Sequence, residues 1–419
     1  MFGLHTFMEP SEGGCGRYSW PLASRGYDVT LVNAVLEEEN PRTVLDPYVT
    51  DGTVSLACAY LGIGGTGLCP DPLLMKLAQA KTGIYGKKTA ETLGYSCATI
   101  TDEVFWESDT DPLPEIAGAY RYPQARGDFL GRWLHHLPNE GRDEIRDLLF
   151  VSYLRASQLL EGDGEFDESV GMETFWNGVS QVRDALPDNP DKPAVLSEGG
   201  ADGIPCPLRK MYGLVMTFLP SPSLSFDTEY RTLAQRSGFF VDDAVMRRRD
   251  AQCIGMPLEP LDRYMEGWRP SGPAPDSLKD TLGNLGDSKE SMFVRRYAEE
   301  LGELIGSVGE ILGKTKAVFF AGNAVIDGTE VPVEALIPEL AEKAGLKCQE
   351  PEKVRVRNDF RGLSDWRFDI TSAERCLGHR RRCCVRTPCR SRVRGIKAPS
   401  PRNRGRWVSG FRLCTGICP

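Results

Sequence analysis

Residues 45–53 read LDPYVTDGT, and the helix-like run VSLACAYLG follows at once at 54–62. A short apolar strand that ends in an acid, then a turn and a helix opened at Gly52-Thr53, is how open α/β sheets hold a small polar ligand. The ligand in such sheets lies at the carboxyl end of the strand. The stretch therefore predicts a strand, a binding turn and a helix. The alternative is an ordinary strand and glycine turn of any α/β enzyme.

Outward from this stretch, the apolar pattern alternates between strand and helix. Residues at helical spacing predict helices, and short β-rich apolar runs between them predict strands. The predicted strands are TVLD (43–46), GGTGLC (64–69), PAVLSEGGAD with its turn (193–202), YGLVMT (212–217) and KAVFFAGN (316–323). The predicted helices are 27–39, 54–62, 71–82, 172–186, 292–312 and 333–346, and residues 347–357 predict an edge strand or hairpin. This alternation predicts an α/β fold with a doubly wound, mostly parallel sheet.

Composition limits the class of protein. The chain has 419 residues, of which 41% are hydrophobic and 26% charged, typical of globular domains. The sequence contains neither an apolar run long enough to span a membrane nor a secretory signal pattern, so we expect a soluble, cytoplasmic protein without membrane contact. Seven cysteines are scattered through residues 1–374, which is typical of reduced thiols rather than of a disulfide framework.

Charge is distributed unevenly along the chain. Residues 375–419 contain twelve Arg and one Lys without an acid, so the net charge of −9 leaves −22 for residues 1–374. The Arg-rich, Cys-rich end predicts a segment that buries too little apolar surface to order itself. It is either a basic arm for nucleic acid or, as we favour, an out-of-frame reading of a GC-rich gene end. Its cysteines lack the paired spacing of a metal knuckle, and we expect no metal.

The segment DPYVTDGTVSLACAYLGIGGTGLCPDPLLMKLAQAKT resembles the S-adenosylmethionine site of the amino-methylating DNA methyltransferases. These enzymes have an aspartate-proline-aromatic turn that ends in glycine-threonine, then a helix, and then a strand that ends near an acid. The matching residues are Asp46, Pro47, Tyr48, Gly52, Thr53 and, later, Pro72. The likeness covers residues 5–82 and 172–357, and it implies a Rossmann-like S-adenosylmethionine-dependent methyltransferase fold.

The resemblance also implies roles for residues around the cofactor. An acid at the end of the second strand accepts hydrogen bonds from the ribose in this family, but Cys69 stands there, with Asp71 two positions on. Glu198 and Asp202 fall near the adenine, although both acids could simply be solvated turn residues. Thr50 and Asp51 replace the small residues that the family has before Gly52, and Asp51 would repel the cofactor carboxylate.

The catalytic loop departs further from the family. It normally carries a polar residue, two prolines and an aromatic, which accept the amine of a flipped base and stack on it. Here it reads Thr217-Phe218-Leu219-Pro220-Ser221-Pro222, and only Pro220 clearly matches. Phe218 has no acceptor in its side chain, and Ser221 cannot stack. We therefore expect weak or absent catalysis.

Contacts with DNA are predicted at two places. Residues 83–170 predict a helical insertion where a target-recognition region belongs, and its aromatic residues Trp106, Phe129 and Trp133 either touch bases or pack the core. The run Arg247, Arg248 and Arg249 either contacts phosphates or forms a solvated helix face. The pair His135-His136 lacks further metal ligands at suitable spacing and is expected to be a surface pair.

These observations predict four segments: residues 1–82 and 171–374 as the two halves of a methyltransferase domain, 83–170 as the insertion, and 375–419 as the tail. The predicted function is methyl transfer from S-adenosylmethionine to an exocyclic amino group of adenine or cytosine in DNA, as in restriction-modification. The first alternative is an inactive remnant that binds nucleic acid or protein. The second is an RNA or small-molecule methyltransferase.

Overall fold

A computed structural model describes residues 16–20, 29–50, 52–116, 118–160, 166–200, 204, 212–222, 228–354 and 364–373. Of the residues singled out by sequence, Asp51, Asp202 and the basic segment 375–419 lie outside the described residues. Met1–Glu374 forms one compact unit.

The core of this unit is an eight-stranded sheet. Its strands are β1 (Thr43–Asp46), β2 (Gly64–Cys69), β3 (Val195–Glu198), β4 (Leu214–Phe218), β5 (Lys316–Gly322), β8 (Leu346–Cys348), β9 (Glu352–Val354) and β10 (Asp365–Ser372). The order is β3-β2-β1-β4-β5-β10-β8, with β9 also beside β10. Pairs from β3 to β5 are parallel, whereas β10 runs antiparallel to β5, β8 and β9. The predicted mostly parallel sheet is confirmed.

Both faces of the sheet are covered, which is why its central strands are apolar throughout. In β5 the buried Phe319 belongs to one hydrophobic cluster and its neighbour Phe320 to another. In β4, Val215 and Met216 divide in the same way. Because successive side chains of a strand point to opposite faces, a sheet covered on both sides needs apolar residues at every position. This two-sided burial is the doubly wound architecture predicted from the alternation of strands and helices.

Thirteen α-helices are present among the described residues. They are α1 (Val29–Glu39), α2 (Thr53–Tyr60), α3 (Pro72–Thr82), α4 (Thr89–Trp106), α5 (Gln124–His136), α6 (Asp143–Leu159), α7 (Glu168–Ala185), α8 (Thr228–Ser237), α9 (Asp243–Gln252), α10 (Leu261–Tyr264), α11 (Lys279–Leu285), α12 (Lys289–Leu312) and α13 (Val333–Lys343). In the part of the chain that the structure describes, no helix has the length and apolar content to cross a membrane.

The insertion between β2 and β3 is helical, as predicted, and consists chiefly of α4, α5 and α6. It shares a hydrophobic core with α3 and α7, to which Leu77, Phe129, Trp133 and Phe175 contribute. The rings of Trp133 and Phe175 stack with centroids 3.4 Å apart. Phe129 and Trp133 are fully buried, so they pack the core and offer no surface for bases.

Two features near the end of the chain differ from the prediction. For residues 347–357 an edge strand or hairpin was predicted. In the described part, up to residue 354, β8 is the last strand of the sheet order, and β8 and β9 each pair with β10, a strand that the sequence pattern did not predict. A separate hairpin joins β6 (Ala324–Ile326) to β7 (Thr329–Val331). Its turn residues Asp327 and Gly328 both have positive φ, 45° and 75°. An Asp-Gly pair of this kind favours a tight two-residue turn.

Two glycines test the packing of the insertion against α7. We expect Gly178→Ala to destabilise the fold by about 1–3 kcal/mol, the usual range for overpacking. A Cβ at Gly178 would lie 2.7 Å from the Ser152 carbonyl oxygen of α6. Gly94→Ala in α4 is the matched control, since its Cβ would meet nothing within 4 Å. It should stabilise by about 0.5–1 kcal/mol. Urea unfolding measures both changes, and shifts of the same sign would contradict the close α6–α7 contact.

Candidate functional site

The strand order reverses between β1 and β4, and such a switch point is where open α/β sheets bind ligands. Asp46 ends β1, and Thr217 lies in the neighbouring β4, 171 residues later. The Thr217 hydroxyl donates to Asp46 Oδ1 at 2.6 Å, and the same oxygen accepts from the Tyr48 backbone N–H at 3.2 Å. Both Asp46 and Thr217 are buried. The fold thus brings the two segments singled out by sequence, the turn and the predicted catalytic loop, into direct contact.

Gly52 closes the turn after β1. Its φ is 79°, and a Cβ added there would lie 2.8 Å from the Ala78 Cβ of α3, so this position requires glycine on two grounds. Gly52 precedes α2, whose first turn has no side-chain cap. A helix start of this kind at the carboxyl edge of a sheet suits a negatively charged group. Pro47 and Thr53, the other predicted residues of the turn, are buried beside it.

Tyr48 and Cys69 point into the protein. The Tyr48 hydroxyl accepts a hydrogen bond from the Ile254 backbone N–H at 2.9 Å, and burial raises the pKa of this phenol well above its ordinary value. The Cys69 thiol lies 3.4 Å from the Val49 carbonyl oxygen and 3.3 Å from that of Asp71. Burial also raises the pKa of Cys69 well above its usual range, which keeps the thiol protonated. Neither side chain faces a ligand in this arrangement.

Asp71 uses both of its carboxylate oxygens within the protein. Oδ1 caps α3 by accepting from the backbone N–H groups of Leu73 and Leu74 at 2.9 and 3.1 Å. Oδ2 accepts from Arg249 Nε at 2.8 Å and from the Tyr230 hydroxyl. Asp71 is only 1% exposed. It therefore does not replace the ribose-binding acid that the resemblance led us to expect at this strand end.

Within the run Arg247–Arg249, Arg249 is the residue that is buried and paired with acids of the protein. Its side chain is fully buried and also donates to Asp250 Oδ1 at 2.8 Å. Arg248 is exposed, and so is Arg247, whose Nε lies 3.4 Å from Glu259. Burial leaves Arg249 no surface for phosphate, so a phosphate contact from this run falls to Arg247 and Arg248.

The predicted catalytic loop is packed against β5 and α12. The Phe218 ring is buried and stacks on Phe320 with centroids 4.9 Å apart and planes 26° apart. The Ser221 hydroxyl donates to the Gly322 carbonyl at 2.8 Å, and the Pro220 carbonyl accepts from the Tyr297 hydroxyl at 3.0 Å. None of these side chains presents a hydrogen-bond acceptor or a ring at the position the resemblance assigns to the base.

Glu198 is an exposed acid at the carboxyl edge of the sheet, where β1, β2 and β3 end. It ends β3 and pairs in register with Cys69 of β2, so a carboxylate stands one strand away from the expected ribose-binding position. Parallel neighbours in register have their side chains on the same face of the sheet. Glu198 is therefore an exposed carboxylate on the same face of the sheet as Cys69.

Several residues of the site were missed by sequence reasoning. Tyr230, Ile254 and Tyr297 reach it only through tertiary contacts, and no local motif marks them. Arg249 could have been recognised, because it shares one helix face with the buried Met246 at i−3 and continues into the buried Asp250. That spacing separates it from the exposed Arg247 and Arg248.

No protein family profile and no curated protein matches this chain. Among solved structures, it is similar to the rRNA methyltransferase AviRa from Streptomyces viridochromogenes. The identity is 11%, the TM-score is 0.31, and the match covers 87% of this chain and 94% of that chain. A similarity at this level establishes neither the family nor the substrate.

The neighbours Arg248 and Arg249 provide a matched test of the buried pair. We expect Arg249→Met to destabilise the fold by about 3–5 kcal/mol, because Asp71 and Asp250 would be left buried without a cation. Arg248→Met should change stability by no more than about 0.5 kcal/mol, since its side chain is exposed. Chemical denaturation of the two variants measures the difference. Equal effects would show that Arg249 does not hold α9 against the sheet.

Proposed function

We propose that this chain is a methyltransferase-type protein that binds S-adenosylmethionine at the carboxyl edge of β1, β2 and β3. The ancestral reaction is methyl transfer to an exocyclic amine of adenine or cytosine in DNA, and its rate is reduced in this chain. The observation that carries the proposal is the Thr217–Asp46 hydrogen bond of 2.6 Å. It joins the turn and the catalytic loop at the switch point of the sheet, where ligands bind in this architecture.

The residues present fit the cofactor in part. The turn at Gly52 lets backbone approach a ligand closely, and the uncapped start of α2 suits its carboxylate. The exposed Glu198, in register with Cys69, would accept the ribose hydroxyls. When bound, the cofactor supplies a methyl group on a sulfonium, which is ready for direct transfer without a metal or a covalent nucleophile.

Reduced transfer follows from what this chain places at the amine. An exocyclic amine is oriented by acceptors and by a ring that stacks on the flipped base. Phe218 has no hydrogen-bond acceptor in its side chain and lies in the core against Phe320. The Ser221 hydroxyl donates a hydrogen bond to the Gly322 carbonyl oxygen. Orientation of the reacting amine would then depend on backbone groups alone, and the transfer would be slow.

DNA remains the proposed substrate, held through its phosphates. Arg247 and Arg248 are exposed on α9, the helix that the Arg249–Asp71 pair holds against the end of β2. Two phosphate contacts provide a modest, salt-dependent contribution to affinity. We include a cytoplasmic location in this proposal.

An inactive remnant is the second candidate, and the internal bonding of the edge favours it. The side chains of Asp46, Cys69 and Asp71 all form hydrogen bonds with other groups of the protein. In a remnant, the same bonds would stabilise the fold after the cofactor contacts were lost. The two candidates differ in whether S-adenosylmethionine binds.

Isothermal titration with S-adenosylmethionine tests the cofactor proposal. We expect measurable binding, and we expect Glu198→Ala to weaken it by about tenfold or more, since hydrogen bonds to a charged group contribute about 1.5–3 kcal/mol. Glu352→Ala is the matched control, because Glu352 is also an exposed strand acid but lies on β9, beside β10. Absence of binding by the unmodified chain would assign the remnant, and equal effects of the two variants would remove Glu198 from the site.

Transfer of tritium from labelled S-adenosylmethionine to plasmid DNA tests the reaction itself. We expect binding of the cofactor with little or no label in DNA, because the loop lacks the amine acceptor and the stacking ring. Rapid, stoichiometric labelling of adenine or cytosine would contradict the reduced rate that we derive from Phe218 and Ser221.

A further inference from the structure

Helix α4 has one face in the core and one face in solvent. Leu93, Cys97, Ile100 and Val104 recur at helical spacing and are buried against the helices of the insertion. Residues 95, 99, 102 and 106 follow a second stripe, because steps of four, three and four residues return to the same side of a helix. All four of these residues are exposed.

The exposed face carries large aromatic side chains. Tyr95 is 68% exposed, Phe105 59% and Trp106 80%, and no other aromatic residue in the described ranges is among the exposed large hydrophobics. The rings of Phe105 and Trp106 are in edge contact, with centroids 4.8 Å apart. Single exposed apolar residues are common, whereas the adjoining rings of Phe105 and Trp106, with Tyr95 further along the same helix, make this side of α4 a candidate interaction surface. We call Tyr95, Phe105, Trp106 and the acids beside them the α4 surface.

The surroundings of these rings are acidic. Residues 89–120 contain seven Asp or Glu and no Lys or Arg. Glu107 and Asp109 next to Trp106 have side chains 57% and 75% exposed. On the side of α5, His135 faces Asp111 at 3.1 Å and His136 faces Glu103 at 3.5 Å.

Cations on neighbouring elements do not cancel this charge. Arg142, which donates to the Ser96 hydroxyl of α4, forms two hydrogen bonds with the Glu140 carboxylate, at 2.8 and 2.9 Å. Arg146 pairs with Asp143 on its own helix. These two cations are thus matched by two acids of their own. The exposed Lys87 and Lys88 precede the first turn of α4, at the end opposite Phe105 and Trp106, so the negative charge around these two rings remains.

The negative charge distinguishes two possible roles of the exposed Trp106: stacking on a nucleic-acid base, or binding an arginine side chain. A base-stacking platform needs cations for the phosphates that accompany each base, and an acidic surface repels them. An arginine side chain meets both features at once, because its guanidinium stacks on an aromatic face and pairs with carboxylates. We propose that the α4 surface docks an arginine-rich segment of a partner protein. This inference is independent of the cofactor proposal.

Fluorescence anisotropy of a labelled peptide of nine arginines, titrated with the full chain at low salt, tests the proposal. We expect Trp106→Ala to weaken binding about three- to tenfold, the effect of removing an exposed cation–π partner together with its contact area. Asp102→Asn combined with Glu107→Gln should weaken binding and flatten its salt dependence. A peptide of nine lysines should bind more weakly and respond less to Trp106→Ala.

Matched controls separate this surface from the general negative charge of the chain. Val241→Ala removes an exposed apolar side chain from the segment before α9, and Glu352→Gln removes an exposed acid of β9, so both should leave peptide binding unchanged. All substituted residues are exposed, and circular dichroism should show an intact fold for each variant. Equal peptide binding by Trp106→Ala and the unmodified chain would overturn the proposal. Self-association in sedimentation velocity that Trp106→Ala abolishes, without peptide binding, would assign the surface to a second copy and also overturn it.

Discussion

The buried pair between Asp71 and Arg249 is the constraint on which the carboxyl edge of the sheet depends. Asp71 caps α3 with one oxygen and accepts from Arg249 with the other, so one side chain joins β2, α3 and α9. Burial disfavours the charged guanidinium, but the neighbouring carboxylates of Asp71 and Asp250 help to raise the pKa of Arg249 well above its ordinary value. The arginine stays charged, and removal of either partner would leave an isolated charge in the core.

The same pair explains why the edge differs from an open cofactor cleft. With α9 held against β2, the backbone N–H of Ile254, two residues after the helix, donates to the Tyr48 hydroxyl. The Gln252 carbonyl oxygen lies 2.3 Å from where a Cβ on Gly200 would stand. Polar groups at this edge that could bind a ligand thus already form hydrogen bonds with other groups of the protein. Glu198 is the exception among the described acids at the ends of β1, β2 and β3, which gives it the central place in the cofactor proposal.

Much of the sheet could be predicted because its strands carry local information. The boundaries of TVLD and GGTGLC agree with β1 and β2 at every residue, since each is a short apolar run bounded by turn residues. Strand β10, DWRFDITS, was not predicted because its polar residues alternate with apolar ones on a half-exposed strand, and its pairing partners lie up to 55 residues earlier. For the candidate site, the sequence predicted which strand ends lie close together. The contact between Asp46 and Thr217 follows from the strand order. The inward orientation of Cys69 and the burial of Arg249 do not follow from it. Cys69 contacts the Val49 carbonyl, and Arg249 contacts Asp71 and Tyr230, groups that only the fold brings together.

The sequence by itself determined the alternation of strands and helices, the glycine turn at Gly52 and the helical nature of the insertion, because periodicity and backbone preference act over a few residues. It also determined the acidic character of α4. Only the tertiary structure decided which charged residues are buried and hydrogen-bonded within the protein and which are exposed to a ligand or partner. Asp71 and Glu198 are both acids near strand ends, yet one is 1% exposed and the other faces solvent. The difference arises because burial and hydrogen bonding are properties of the neighbours that the fold brings together.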